Sequence, residues 1–341
     1  MRPSKKGTVL WVVLLFIAIW AASCAALVDP SSDPNPGPQA IIFLDPILEQ
    51  AVRCAIGWEP GTPIYPNDVL EVTQLFLVGD LDSPRGLSSL EGIQHLVNLQ
   101  EFWFSVNHVS DISPLQTLVN LRVLRFGWNI VANITPLRNL INLEELYFPG
   151  NQVTDISPLQ DLVNLQRLNF STNHVNSIAS LQTLSNLEML YFNQNQISQI
   201  EPLQFHLSNL KHLSFNSNQV TDVKPLQYLT RLEALSFNEN HVTDIAPLMY
   251  LTGMQSLSFC DNGVTDIQSL QALTQIHTLS FTENSVEDIT PLVNNPGLGT
   301  GDYINMTRNR LALDEGSLNW THIQTLQNRG VFIDYHPQKN D

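Results

Sequence analysis

The sequence predicts an α/β repeat solenoid whose short strands line up in one parallel sheet, and three observations predict it. Asparagine returns at 107, 129, 151, 173, 195, 218, 240, 262 and 284, in steps of 22 with one step of 23. A phenylalanine stands three residues before every one of these, from Phe104 and Phe126 to Phe259 and Phe281. Within one copy the apolar residues Val153, Ile156, Leu159, Leu162, Leu165 and Leu168 are spaced by three, and then Phe170 follows by two. That change of spacing marks a coiled stretch that ends in a short strand. A unit of this size cannot bury its apolar side chains alone, so copies must stack and be closed at both ends.

Taken in chain order, the first element is an export signal over residues 1–24. Arg2, Lys5 and Lys6 form a basic start, "TVLWVVLLFIAIW" is an apolar run too short for a comfortable membrane span, and small residues follow. Residues 25–39, rich in Pro, Ser and Asp, have the composition of a flexible tether. A cap is expected over 40–75. In "DPILEQAVRCAIG", Asp45 is the N-cap, Pro46 the first helical residue, Leu48, Ala51, Val52 and Ala55 the apolar face, and Gly57 the stop.

The repeats follow over 76–310. In each copy the Asn leaves the strand where the chain turns, and its amide can satisfy backbone groups that would otherwise be buried unpaired. On the other side of the coil, Ser157 before Pro158 and Ser113 before Pro114 suggest a serine cap and a helical turn. A weaker cap is expected where Lys224, Ala246 or Glu201 precedes the proline. The extra residue of the 23-residue step, Phe205 or His206, is expected to bulge away from the sheet. A C-terminal cap occupies 311–341, with a last strand in "YINMTRN", a helix opened by Ser317 that carries Leu318, Ile323 and Leu326, and Gly330 closing it before "VFIDY".

The pattern L-x-x-L-x-F-x-x-N, as Leu165, Leu168, Phe170 and Asn173, is that of a leucine-rich repeat. Copies such as "NQVTDISPLQDLVNL" and "NHVSDISPLQTLVNL" resemble the 22-residue repeats of the internalins, bacterial surface proteins. The resemblance implies a leucine-rich repeat horseshoe with the parallel sheet on its concave face, short turns or 3-10 helices on its convex face and helical caps, together with a habit of binding proteins on the concave sheet. No wall-sorting sequence or extra domain is read after the repeats, so host invasion is not implied. "AASC" is similar to the lipobox of bacterial lipoproteins, in which Cys24 would carry the lipid, although Ala21 stands where Leu is usual. The alternatives are an ordinary signal peptide cut after Ala22 or Ser23, and an uncleaved anchor.

Side chains alternate on a strand, so the residue before each Phe points out of the concave sheet. That column reads Trp103, Arg125, Tyr147, Asn169, Tyr191, Ser214, Ser236, Ser258, Ser280; neighbouring columns add Arg122, Trp128 and Arg167 early, and Glu239, Asp261 and Glu283 late. Trp, Tyr and Arg dominate binding hot spots, so the expected protein-binding residues are Trp103, Arg125, Trp128, Tyr147, Arg167, Asn169 and Tyr191.

Catalytic and metal readings find little support. His108, His174 and His241 lie three coils apart, far beyond convergence on one ion. Asp222, Asp244, Asp266 and Asp288 form a column that a cation could bridge, but turn-capping is the simpler role. From residue 25 onward 13 basic residues face 32 acidic ones, a net of −19, which excludes nucleic acid as a partner. Cys54 and Cys260 fall roughly 30 Å or more apart along the stack and cannot pair. The expectation is therefore a monomeric, non-catalytic protein without cofactor or metal. It sits in the bacterial cell envelope on a lipid anchor, or is secreted, and binds a protein ligand: a host receptor, another envelope protein or a copy on a neighbouring cell. A scaffolding stack without a dedicated ligand is the second reading and a hydrolase the third.

Overall fold

The computed structural model describes residues 39–79 and 86–339. Cys24, the export signal and the tether up to residue 38 lie outside them. Twelve three-residue strands pair in parallel and in strict chain order: β1 (Gln74–Phe76), β2 (Glu101–Trp103), β3 (Val123–Arg125), β4 (Glu145–Tyr147), β5 (Arg167–Asn169), β6 (Met189–Tyr191), β7 (His212–Ser214), β8 (Ala234–Ser236), β9 (Ser256–Ser258), β10 (Thr278–Ser280), β11 (Tyr303–Asn305) and β12 (Phe332–Asp334). The central residue of each strand from β1 to β11 is buried and the residues on either side face the concave surface. Short 3-10 helices such as Ser157–Leu159 and Lys224–Tyr228 cover the opposite side.

Two internal ladders explain why the period is kept. Successive Phe rings from Phe104 to Phe281 are fully buried and stacked, with centroids 5.4 Å apart between Phe126 and Phe148 and 6.1 Å between Phe148 and Phe170. The Asn amides link each coil to the one before it. Asn151 Nδ2 donates to Phe148 O and Phe126 O, both at 3.1 Å, while its Oδ1 accepts from Val131 N at 3.0 Å. Asn309 continues this ladder. A second column was not anticipated from the sequence: Asn98, Asn120, Asn142, Asn164, Asn186 and Asn209 each donate to a carbonyl of the preceding coil at 2.9 Å.

The convex turns are capped by aspartates, as expected for Asp222, Asp244, Asp266 and Asp288, and not by the serines before proline. Ser157 is the first residue of its 3-10 helix, and the cap is Asp155, whose Oδ1 accepts from Ser157 N at 2.7 Å and Oδ2 from Ser157 Oγ at 2.8 Å. Asp111 serves Ser113 in the same way. Lys224 and Ala246 are held equally well, because Asp222 and Asp244 accept from their backbone N–H groups at 2.7 and 2.8 Å. Asn133 and Ser177 accept in the place of the Asp, and among the described repeats the turn at Glu201, preceded by Gln199, shows no such bond. An acceptor two residues upstream closes the turn whatever residue precedes the proline. Asp266 and Asp288 cap in the same manner, and no group of three metal-ligating side chains occurs among the described residues.

Helix α1 (Pro46–Ile56) matches its predicted start and stop: Asp45 Oδ1 accepts from Ile47 N at 2.9 Å, and Gly57 takes φ 73°. Its apolar face is narrower than expected. Leu48 and Val52 are buried and Ala51 partly so, but Ala55 is exposed and Arg53 is covered instead, bonded to Glu49 and to Glu59 O. At the other end, α2 (Thr290–Asn294) replaces a 3-10 turn and α3 (Leu318–Asn328) is capped by Ser317. Leu318 is exposed, and the buried Asn319 docks this helix by donating to Glu287 O at 2.8 Å and accepting from Ile289 N at 3.3 Å. The sheet also runs one strand beyond "YINMTRN", because β12 in "VFIDY" pairs with β11. Phe205 lies on the convex side, 66% exposed and packed on Tyr228, and the register of β6 with β7 is undisturbed. Cys54 and Cys260 are both free.

Candidate protein-binding surface

Parallel pairing places Trp103, Arg125, Tyr147, Asn169 and Tyr191 in one register column, as the third residues of β2 to β6. All five are half-buried on the concave face. The first three are joined into a stack. The Arg125 guanidinium lies 4.4 Å from the Trp103 ring centroid and 4.8 Å from that of Tyr147, so it is sandwiched between them. Phe76 extends the stack by one coil, edge-on to Trp103 at 4.8 Å. Packing is close enough to cover Trp103 Nε1 and Arg125 Nε, which have no hydrogen-bond partner among the described residues.

Glu145, the first residue of β4, holds the charges in place. It accepts from Arg125 at 2.8 Å through one oxygen and from Arg167 through the other. Burial pushes the Glu145 carboxyl up, but the hydrogen bonds and charges of Arg125 and Arg167 outweigh it and hold it below the ordinary glutamate value. Burial, and then the Glu145 charge, push the Tyr147 hydroxyl up. That hydroxyl reaches Met189 Sδ at 3.8 Å. Beside the stack, Arg122 grips Glu144 through bonds of 2.7 to 2.9 Å. The patch therefore carries three guanidinium groups, of which two share Glu145 and the third is matched by Glu144.

Two candidate residues stand apart from this group. Trp128 sits in the turn after β3 at φ 58°, 53% exposed, on the rim rather than on the sheet. Its indole occupies the space where Gly150 lacks a side chain, since a Cβ there would come within 2.6 Å of the ring. Asn169 uses its Oδ1 locally, accepting from Ser171 N at 2.9 Å. Phe76, Glu145 and Met189 were missed by the sequence reading. For Glu145 and Met189 the signal lies in the first strand column, Glu101, Val123, Glu145, Arg167, Met189, which also faces the concave side, whereas Phe76 continues the Trp103 column one coil earlier.

Beyond Tyr191 the face drops. A trough of about 320 Å³ is lined by Tyr191, Asn193, His212, Ser214, Ala234, Ser236, Ser256 and Ser258. His108, His174 and His241 are exposed residues of separate turns, as their spacing implied. Further along, His277 Nδ1 lies 2.9 Å from Asp302 Oδ1 and has no other side-chain partner among the described residues. No described helix is long and apolar enough to cross a membrane.

An open parallel sheet with one strand per coil, Asn and Phe ladders and an exposed aromatic-arginine patch defines a leucine-rich repeat solenoid. The family model described as leucine rich repeats (2 copies) matches residues 141–186, 164–205, 185–228 and 208–248. Among solved structures, an internalin (inlF) from Listeria monocytogenes is similar at 28% identity with a TM-score of 0.72, over 89% of this chain and 94% of that one. Internalin C2 from the same organism is similar at 25% identity and a TM-score of 0.50, over 78% of this chain and 97% of that one. The ectodomain of the plant membrane receptor kinase GASSHO1/SCHENGEN3 from Arabidopsis thaliana, in complex with Casparian strip integrity factor 2, shares the fold. Its identity is 18% and its TM-score 0.58, over 73% of this chain and 31% of that one. No curated protein sequence matches significantly. The chain is therefore a leucine-rich repeat solenoid, similar to the bacterial internalins.

Proposed function

We propose that this chain is an extracytoplasmic protein, anchored to a membrane by lipid on Cys24, that binds another protein through its concave sheet and catalyses no reaction. The observation that carries the binding reading is the stack Phe76–Trp103–Arg125–Tyr147, clamped by Glu145. Large side chains already locked in place lose little conformational entropy when a partner lands on them, and Trp, Tyr and Arg are the residue types that dominate such contacts. The neighbouring internalins and the receptor ectodomain solved with its bound factor are in keeping with this use of the fold. Replacing Trp103, Tyr147 and Tyr191 with Ala, and comparing what the full chain captures from envelope and host extracts, tests the patch. Loss of one reproducible partner with an unchanged circular dichroism spectrum is expected; undiminished capture by the triple variant sinks it.

The anchor rests on the basic start, the apolar run and the "AASC" ending. Labelling cells with a fatty-acid analogue should mark the wild-type chain and not Cys24→Ala. An unlabelled wild-type chain rules the anchor out.

A further inference from the structure

The lower half of the concave face has a hydrogen-bond polarity that names the chemistry of what it holds. Asn193 Oδ1 accepts from Asn216 N at 2.7 Å and from Ser214 Oγ at 2.6 Å. Asn216 Oδ1 accepts from Asn238 N and Ser236 Oγ, both at 2.7 Å, and Asn238 Oδ1 from Cys260 N at 2.6 Å and Ser258 Oγ at 2.7 Å. A backbone N–H can only donate, so each amide oxygen is an acceptor and each serine proton is committed to it. Ser214 and Ser236 also accept from Asn216 Nδ2 and Asn238 Nδ2 at 3.2 and 3.1 Å, so the hydroxyls of Ser214, Ser236 and Ser258 have no proton to offer and keep acceptor capacity only.

Charge points the same way. Glu233 immediately precedes β8, while Glu239 and Asp261 sit in the turns after β8 and β9, so carboxylates flank both ends of β8 and the far end of β9. None of the three has a cationic partner among the described ion pairs; Lys211 is already matched by Glu188 at 3.0 Å, and Arg308 by Glu283. Three serine hydroxyls of the trough's floor therefore accept, and the flanks of β8 are negative, close to an aromatic step at Tyr191.

We propose that this half of the sheet seats an extended, cationic segment of the partner protein, with an Arg or Lys side chain over Ser214, Ser236 and Ser258 and between the Glu233 and Glu239–Asp261 flanks. The assignment rests on the concave face being the binding face. It adds an orientation: the partner lays an apolar surface on the Phe76–Tyr147 stack and its basic segment towards β8 and β9.

The probe is a fluorescein-labelled peptide, Gly-Ser-Arg-Gly-Arg-Ser-Gly, titrated with the full chain and read by anisotropy. Ser236→Tyr fills the trough without changing charge, and the repeat tolerates it, since Tyr147 and Tyr191 occupy the same column. Binding should weaken about tenfold in Ser236→Tyr and in the Glu239→Gln/Asp261→Asn pair, and should not change in the convex-side variant Glu201→Gln. No binding, equal binding by Ser236→Tyr, or equal binding of a citrulline peptide overturns the proposal. Spermine binding as tightly as the peptide overturns its peptide character. Trp103→Ala and Tyr147→Ala should leave this titration unchanged, so failure here and failure of the aromatic patch are separable.

Discussion

Glu145 and Asn151 lie six residues apart and govern different properties. Glu145 anchors Arg125 and Arg167, but both arginines are partly exposed, so solvent screening keeps the stability effect of Glu145→Gln to about 0.5–1 kcal/mol in urea unfolding. Because its folded pKa is lowered, its contribution is complete above the ordinary value of 4.5 and is lost as pH falls below it. Urea midpoints of wild type and Glu145→Gln should therefore converge in acid; a gap that is constant with pH refutes the clamp. Asn151 is buried and serves four backbone groups, Val131 N, Phe126 O, Phe148 O and, at 3.5 Å, Pro149 O. Asn151→Ala leaves them unpaired and should cost about 2–4 kcal/mol by the same measurement.

At the scale of elements, one residue type separates core from insertion. Phe170 is fully buried between Phe148 and Phe192, whereas Phe205 is two-thirds exposed on a convex turn. Phe170→Ala should cost about 3–5 kcal/mol and Phe205→Ala less than about 1 kcal/mol, as read by thermal and urea unfolding. The first cap depends on Asp45, which closes α1 and also accepts from Ser88 N at 2.7 Å and Ser88 Oγ at 2.9 Å, tying the helix to the first coil. Burial raises its pKa, but the hydrogen bonds from Ser88, Ile47 and Ser89 outweigh that and hold it below 3.8. Asp45→Ala should cost about 1–2 kcal/mol above that pH and progressively less in acid. Hydrogen exchange should show the loss concentrated in α1 and β1.

For the whole molecule, stability is a sum of coils and their contacts, so the ends matter most. Removing residues 1–72 would expose the edge of β1 and the underside of the first coil. The truncated chain should scatter more light than the full-length chain at the same concentration; equal scattering would show that the cap does not protect this edge. The concave face is likewise a property of the whole stack: aromatic and arginine-rich over β2 to β6, hydroxyl-lined and acidic over β7 to β10, with the change falling at the repeat that carries the extra residue. The repeat columns of the sequence already show that coincidence, and the strand register keeps it.

The sequence by itself determined the architecture, because a side chain that must match its copy one coil away has to recur in the text; Phe148, Asn151, Leu165 and Leu168 are legible for that reason. It also determined which column faces outward, since strand alternation is local. Tertiary structure alone decided what those outward residues do together. Glu145 sits in the other exposed column, and its contact with Arg125 and Arg167 crosses three strands, so no spacing within one copy could announce it. The same holds for β12 extending the sheet, whereas Asp155 capping Ser157 is a local turn of the kind read for the aspartate column. Trp128 read as a member of the concave group, yet a left-handed turn carries it to the rim over Gly150. Periodic residues answer to the backbone and can be read in order; the non-periodic ones answer to neighbours that only stacking brings within reach.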